Sequence, residues 1–191
     1  FRRVLFRSGK VALDAGASTG GFTQVLLSRG VSKVVAVDVG YGQLAWELRN
    51  DPRVEVRERC NIRELTPNDL AAPPALVVAD LSFISLRTVL PALVSCAAAD
   101  ADLLLMVKPQ FEVGRERVGD GVVREPGLRA EAVCSVITAA QSLGCGLRGV
   151  TASPLPGPEG NVEYFCWLTK GAPPAVTEQV ESLVAAAVAG G

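Results

Sequence analysis

Three charged residues stand where apolar runs end. Ala75-Leu76-Val77-Val78-Ala79 runs into Asp80, Leu103-Leu104-Leu105-Met106-Val107 runs into Lys108, and Glu163 sits in Gly160-Asn161-Val162-Glu163-Tyr164-Phe165, which reads as part of a final strand. If the first two runs are neighbouring strands, Asp80 and Lys108 emerge on one edge of a sheet, where a lysine is partly desolvated. Desolvation is what moves an amine toward accepting a proton near neutral pH. An inward-facing Glu163 would be costly alone, and a partnership with Lys108 satisfies both charges. The plainer readings are a lysine that snorkels at a strand end and a glutamate that faces solvent. The chain has no histidine, so acid–base work falls to carboxylates, lysines, tyrosines and hydroxyls.

A second constellation begins at Asp14. Asp14-Ala15-Gly16-Ala17-Ser18-Thr19-Gly20-Gly21-Phe22 follows a short apolar run and precedes a helical pattern, which places small residues where the backbone must approach a ligand. A dinucleotide site would want G-x-G-x-x-G, whereas this turn reads G-x-x-x-G-G after an acid, and no phosphate-loop lysine follows. An acid at the opening of the turn suits a ligand carrying an ammonium and a sulfonium. Asp38, with Val39 beside it, ends a second apolar run where a ribose diol would lie. Together these residues point to S-adenosylmethionine, held by Asp14, Gly16, Ser18, Thr19, Gly20, Gly21, Phe22, Asp38, Val39 and Asp80. The plainer reading makes Asp14 a turn cap and the glycines turn glycines. Asn61 is placed to read the adenine edge, with a loop asparagine satisfying its own turn as the competing reading.

The elements that must position these residues alternate along the chain. Short strands at 10–14, 34–38, 54–56, 75–80 and 103–107 are separated by helical patterns at 22–29, 43–49 and 86–99; a polar loop over 108–126, a helix over 128–143 and strands at 146–151 and 161–168 follow. Such alternation specifies an α/β fold: a mostly parallel sheet with helices on both faces. The connection 153–160 is too short for a crossover helix, so the last two strands should form an antiparallel hairpin. Seven strands ending this way are the Rossmann-like sheet of class I methyltransferases. Residues 1–9 read as a residual or non-native segment, 10–172 as the methyltransferase domain and 173–191 as a terminal helix or tail.

At 191 residues and 49% apolar, the chain can bury a substantial core. Its apolar stretches stop short of a membrane span, and no leader of signal-peptide type opens it, so the expected location is cytoplasmic. Five scattered cysteines without a C-x-x-C pair argue against zinc and against a disulfide framework. A net charge of −1 offers no global attraction to polyanions.

The longer motifs carry a resemblance. The order Asp80, Lys108, Glu163 resembles three members of the Lys-Asp-Lys-Glu tetrad of FtsJ-like RNA 2′-O-methyltransferases. The blocks 14–23, 38–44, 79–85, 107–112 and 153–165 look like the TlyA (hemolysin A) family, and the resemblance covers Val11 to about Lys170. It implies methylation of the 2′-hydroxyl of cytidines in ribosomal RNA of either ribosomal subunit, with S-adenosylmethionine as donor and no metal. By carry-over Lys108 would deprotonate or orient the hydroxyl, while Asp80 and Glu163 hold that lysine and the target ribose. The family's first tetrad lysine and its small N-terminal RNA-binding domain have no match here, and Lys10 is too close to the first strand to be that lysine. The expectation is a chain that binds cofactor and methylates ribosomal RNA poorly by itself. Arg115, Arg117 and Arg124 in the 108–126 loop are candidates for phosphate contact. The competing functions are a hemolysin-like or cofactor-binding protein without methyl transfer, and a methyltransferase with another substrate.

Overall fold

The computed structural model describes residues 9–191, and the segment 1–8 lies outside the described residues. Its framework is a seven-stranded sheet in the order β3-β2-β1-β4-β5-β7-β6, built from β1 (Val11–Ala15), β2 (Lys33–Val37), β3 (Val54–Arg57), β4 (Leu76–Ala79), β5 (Asp102–Val107), β6 (Cys145–Ala152) and β7 (Tyr164–Lys170). The first five strands pair in parallel; β7 runs antiparallel between β5 and β6. The antiparallel hairpin matches expectation, and the insertion of β7 next to β5 is a feature that the sequence pattern leaves open.

The central strands are apolar throughout because both faces are covered. Leu13, Val35, Val77, Leu103 and Leu105 point to one side, where they meet α3 (Leu86–Cys96), α6 (Pro126–Ser142) and α7 (Thr177–Ala189). Ala12, Val34, Leu76, Val78 and Leu104 point to the other side and meet Leu26 and Leu27 of α1 (Gly21–Ser28). Each fully buried leucine contributes about 1.5–3 kcal/mol relative to exposure.

Several boundaries differ from the pattern reading. Helix α2 is confined to Trp46–Arg49, because the extended backbone at Ala45, whose N–H donates to the Thr19 carbonyl at 3.1 Å, keeps Gln43 and Leu44 out of it. The 108–126 stretch holds two short helical turns, α4 (Pro109–Glu112) and α5 (Arg115–Val118), in place of an open loop. The last strand starts at Tyr164, so Glu163 stands just ahead of it and not within it.

Two features of β1 set up the sheet's carboxyl edge. Asp14 is fully buried, and its Oδ2 accepts a hydrogen bond from Thr23 Oγ1 at 2.6 Å, tying β1 to α1 across the turn. Its Oδ1 has no hydrogen-bond partner among the described residues. Burial pushes the Asp14 carboxyl up to about 6, offset in part by the Thr23 hydrogen bond. Gly16 has φ 84°, and a Cβ built there would collide with the carbonyl oxygen of Asp80.

A carboxyl whose folded-state pKa is raised makes the folded state bind the proton more tightly than the unfolded one. Stability is therefore lost as pH rises from the ordinary value of 3.8 through about 6. Denaturant unfolding across this range should show Asp14 removing up to about 3 kcal/mol from the wild type, a component that Asp14→Asn abolishes. Gly16→Ala should cost at least about 2 kcal/mol in the same assay, combining backbone strain with the clash at Asp80.

Candidate active site

In a parallel sheet the ends of the strands gather their following loops on one edge. Here the loops after β1, β2, β3 and β4 surround a cavity of about 310 Å³. Gly16, Ser18, Asp38, Val39 and Asp80 line it, as do Gln43 and Cys60, which the sequence reading did not single out. Asp38 organises this wall: its Oδ2 accepts the Ser18 N–H at 2.8 Å and its Oδ1 accepts the Gly40 N–H at 2.7 Å. The loop after β3 joins through Cys60 N–H donating to the Asp38 carbonyl and Arg59 N–H to the Gly40 carbonyl, each at 3.0 Å. Those two bonds are what bring Cys60 to the cavity.

The other cofactor candidates stand around this wall. Asp14 lies beneath the turn. The Thr19 carbonyl is taken by Ala45, and the space beside Gly20, at φ 101°, is filled by Leu48 and Leu44. Gly21 and Phe22 open α1, whose N-terminus no side chain caps, and Phe22 packs edge-on against Phe165 with ring centroids 6.2 Å apart. The Asn61 side chain is engaged by its own turn: Oδ1 accepts the Arg63 N–H at 3.2 Å and Nδ2 donates to Glu64 at 3.3 Å, while its neighbours Cys60 and Ile62 face the cavity.

The three charged residues meet. Lys108 Nζ lies 2.7 Å from Asp80 Oδ1, 3.1 Å from Ser82 Oγ, to which it donates, and 3.9 Å from Glu163 Oε1. The Asp80 contact is a close ion pair that is not aligned as a hydrogen bond. Sheet register explains the meeting. Antiparallel pairing sets Tyr164 opposite Val107, so the residue before β7 lies beside the residue after β5. The Lys108 side chain is only 11% exposed and that of Glu163 7%. Burial raises the Glu163 carboxyl above the usual range, Lys108 opposes that rise and Asp80 adds to it.

A second cavity of about 300 Å³ abuts the first, with Ser82, Phe83, Lys108, Gln110, Phe111 and Glu163 among its walls. Ser82 and Phe83 line both, so Lys108 stands at the junction. Phe83 is 91% exposed and holds φ 65°, a conformation costly for a bulky side chain. Ser82 and Phe83 were missed by pattern reading. The available signal was an aromatic residue in a polar loop directly after a strand that ends in an acid. Chemically, the arrangement can fix a hydroxyl in the second cavity against Lys108 and take up its proton, with a reactive group presented from the first.

The loop arginines are compensated: Arg117 donates twice to Glu131, at 2.5 Å each, and Arg124 pairs with Asp120 at 2.9 Å; the side chain of Arg115 lies outside what the structure describes. Arg59 instead lies over the Tyr41 ring, 4.3 Å from its centroid. Among the described residues no group of acidic, cysteine or histidine side chains could hold a metal, and no helix is long and apolar enough to cross a membrane.

Comparison with known proteins gives a consistent result. The family model of the FtsJ-like methyltransferase matches residues 1–170. The chain is 66% identical over 162 residues to the 16S/23S rRNA (cytidine-2′-O)-methyltransferase TlyA of Mycobacterium tuberculosis, covering 84% of this chain and 60% of that protein. It is 39% identical to hemolysin A of Brachyspira hyodysenteriae, covering 82% of this chain and 66% of the relative. The chain thus spans about 60% of the length of the curated relatives that it matches first. Among solved structures, a candidate hemolysin from Lactococcus lactis superposes with a TM-score of 0.90 at 40% identity, covering 96% of this chain and 90% of that one. The N-methyltransferase NodS of Bradyrhizobium japonicum, at 15% identity and a TM-score of 0.64 over 88% of this chain and 92% of its own, shares the fold. Sheet order, site geometry and sequence agree that the chain belongs to the FtsJ-like methyltransferase family.

Proposed function

We propose that this chain carries out S-adenosylmethionine-dependent methylation of the 2′-hydroxyl of cytidine ribose in ribosomal RNA, as its TlyA relatives are named for doing. The observation that carries the proposal is the placement of Lys108, bracketed by Asp80, Ser82 and Glu163 at the junction of two adjoining cavities. A ribosomal substrate places the reaction in the cytoplasm, and the unit responsible runs from residue 10 to 172.

The first cavity suits the cofactor. Its volume of about 310 Å³ lies within the range of small-molecule sites. Asp38 presents a carboxylate where a ribose diol can donate to its remaining lone pairs. Gly16 keeps that wall thin beside Asp80. Bound there, S-adenosylmethionine supplies an electrophilic methyl group.

The second cavity suits the acceptor. Lys108 orients the ribose hydroxyl toward the first cavity, and Asp80 and Ser82 hold the Lys108 side chain in place. Transfer would exchange the methyl–sulfur bond for a methyl–oxygen bond, with S-adenosylhomocysteine as the leaving group. The hydroxyl proton would pass to Glu163, which stands beside Lys108 and whose raised carboxyl accepts protons more readily than an ordinary carboxylate. Phe83 and Phe111, with ring centroids 5.3 Å apart, offer an aromatic wall for an unstacked base. Alignment of the two cavities supplies a large share of the acceleration.

Two measurements test this reading. Calorimetric titration with S-adenosylmethionine should show binding that Asp38→Ala weakens at least about tenfold, consistent with loss of a charge-assisted contact. Lys108→Ala should lower methyl transfer to ribosomal RNA by about 10²–10⁴-fold while leaving cofactor affinity within about threefold. A variant that retains full activity would point to a methyltransferase acting on another kind of atom.

A further inference from the structure

The loop carrying Phe83 and the loop carrying Lys108 are joined at two places. At the base, Lys108 meets Asp80 and Ser82. At the far end, Glu112 reaches across to the start of α3: its Oε2 accepts from Ser85 Oγ and its Oε1 from the Leu86 N–H, each at 2.6 Å. Arg87 closes the clasp, with Nε 3.3 Å from Glu112 Oε2 and a guanidinium nitrogen donating to the Glu112 carbonyl at 3.0 Å. Between the two ties the Phe83 and Phe111 rings touch, and residues of both loops line a cavity of about 400 Å³. The ties thus link the two loops on either side of that open space.

Glu112 is an expensive residue for that place. Its side chain is 1% exposed, and burial raises its carboxyl above the usual range against the pull of Ser85, Leu86 and Arg87. A buried carboxylate with this set of donors can serve to specify geometry. The geometry in question is that of Phe83, two residues before Ser85, which stands exposed in a strained backbone conformation that its own packing does not hold.

We infer that Glu112 is a positioning residue for the acceptor: it pins the Phe83 loop to the Lys108 loop so that the two walls of the acceptor cavity keep their spacing. The inference rests on the proposed function, and it assigns Glu112 no contact with either substrate. Ser82 and Phe83 line both cavities, but the rest of the first cavity is built by Gly16, Ser18 and Asp38 on other loops, so the pin should affect acceptor binding more than cofactor binding.

The test is steady-state methyl transfer to ribosomal RNA by the full chain, with cofactor affinity measured in parallel. Glu112→Ala should raise KM for the RNA at least tenfold, change kcat at saturating RNA by less than threefold, and change cofactor affinity by a smaller factor than KM. Glu112→Gln, which still accepts from the Leu86 N–H, should recover most of the loss. Hydrogen exchange should be faster in 80–86 of the alanine variant and unchanged in β1 and β2. Equal changes in KM, kcat and cofactor affinity, or an unchanged exchange pattern, would overturn the inference in favour of a general structural role. If Glu112→Ala does not fold, Ser85→Ala removes one hydrogen bond of the clasp and should raise KM by a smaller factor with faster exchange in 80–86; an unaltered KM and exchange pattern there overturns the inference. Wild-type protein that binds the cofactor and transfers no methyl to ribosomal RNA would defeat the functional reading itself, before any variant is compared.

Discussion

Burying the Lys108 ammonium costs hydration that only nearby acceptors can offset, and Asp80 and Ser82 reach it from the end of β4 and Glu163 from the start of β7. The contact therefore requires β4, β5 and β7 to be neighbours in the correct order and register. Every layer of the fold contributes to that requirement. The parallel core fixes the ends of β4 and β5, and the antiparallel insertion of β7 carries Glu163 back to the same edge. Removing β7 from its place would leave Lys108 without its Glu163 partner.

The first cavity obeys a different constraint, that of backbone approach. Asp38 binds two backbone N–H groups and so ties the turn after β1 to the loop after β2, while Gly16 allows that turn to lie against Asp80. Asp80 consequently belongs to both cavities' machinery: its backbone bounds the cofactor turn and its side chain holds Lys108. The two cavities meet at Ser82 and Phe83, which line both.

Charge on the surface is handled locally. Arg117 and Arg124 are matched by Glu131 and Asp120, and Arg49, Arg53 and Arg57 by Glu58, Asp51 and Glu55, in keeping with the near-neutral net charge. Exposed pairs of this kind add little stability. They also mean that attraction to RNA from the loop after β5 would require those pairs to open.

Much of this was legible in the residues alone. Apolar runs ending in Asp14, Asp38, Asp80 and Lys108 identify strands of a parallel sheet, since only strands covered on both faces read as unbroken apolar segments. The glycine-rich turn and the family's motifs follow from local sequence in the same way. The sequence left two readings of Asn61 open, and the capping bond to Arg63, two residues away, selects the one in which it satisfies its own turn. Two things did not follow. The role of Glu112 is invisible in sequence because its partners lie more than twenty residues distant. The position of β7 decided most: a hairpin read from sequence can dock on a sheet by either strand, and only packing of the completed core selects the one that brings Glu163 to Lys108. Sequence determined which groups the chain possesses and where its strands end, because those depend on neighbours along the chain. Tertiary structure decided which of those ends meet, because that depends on which faces must be buried together.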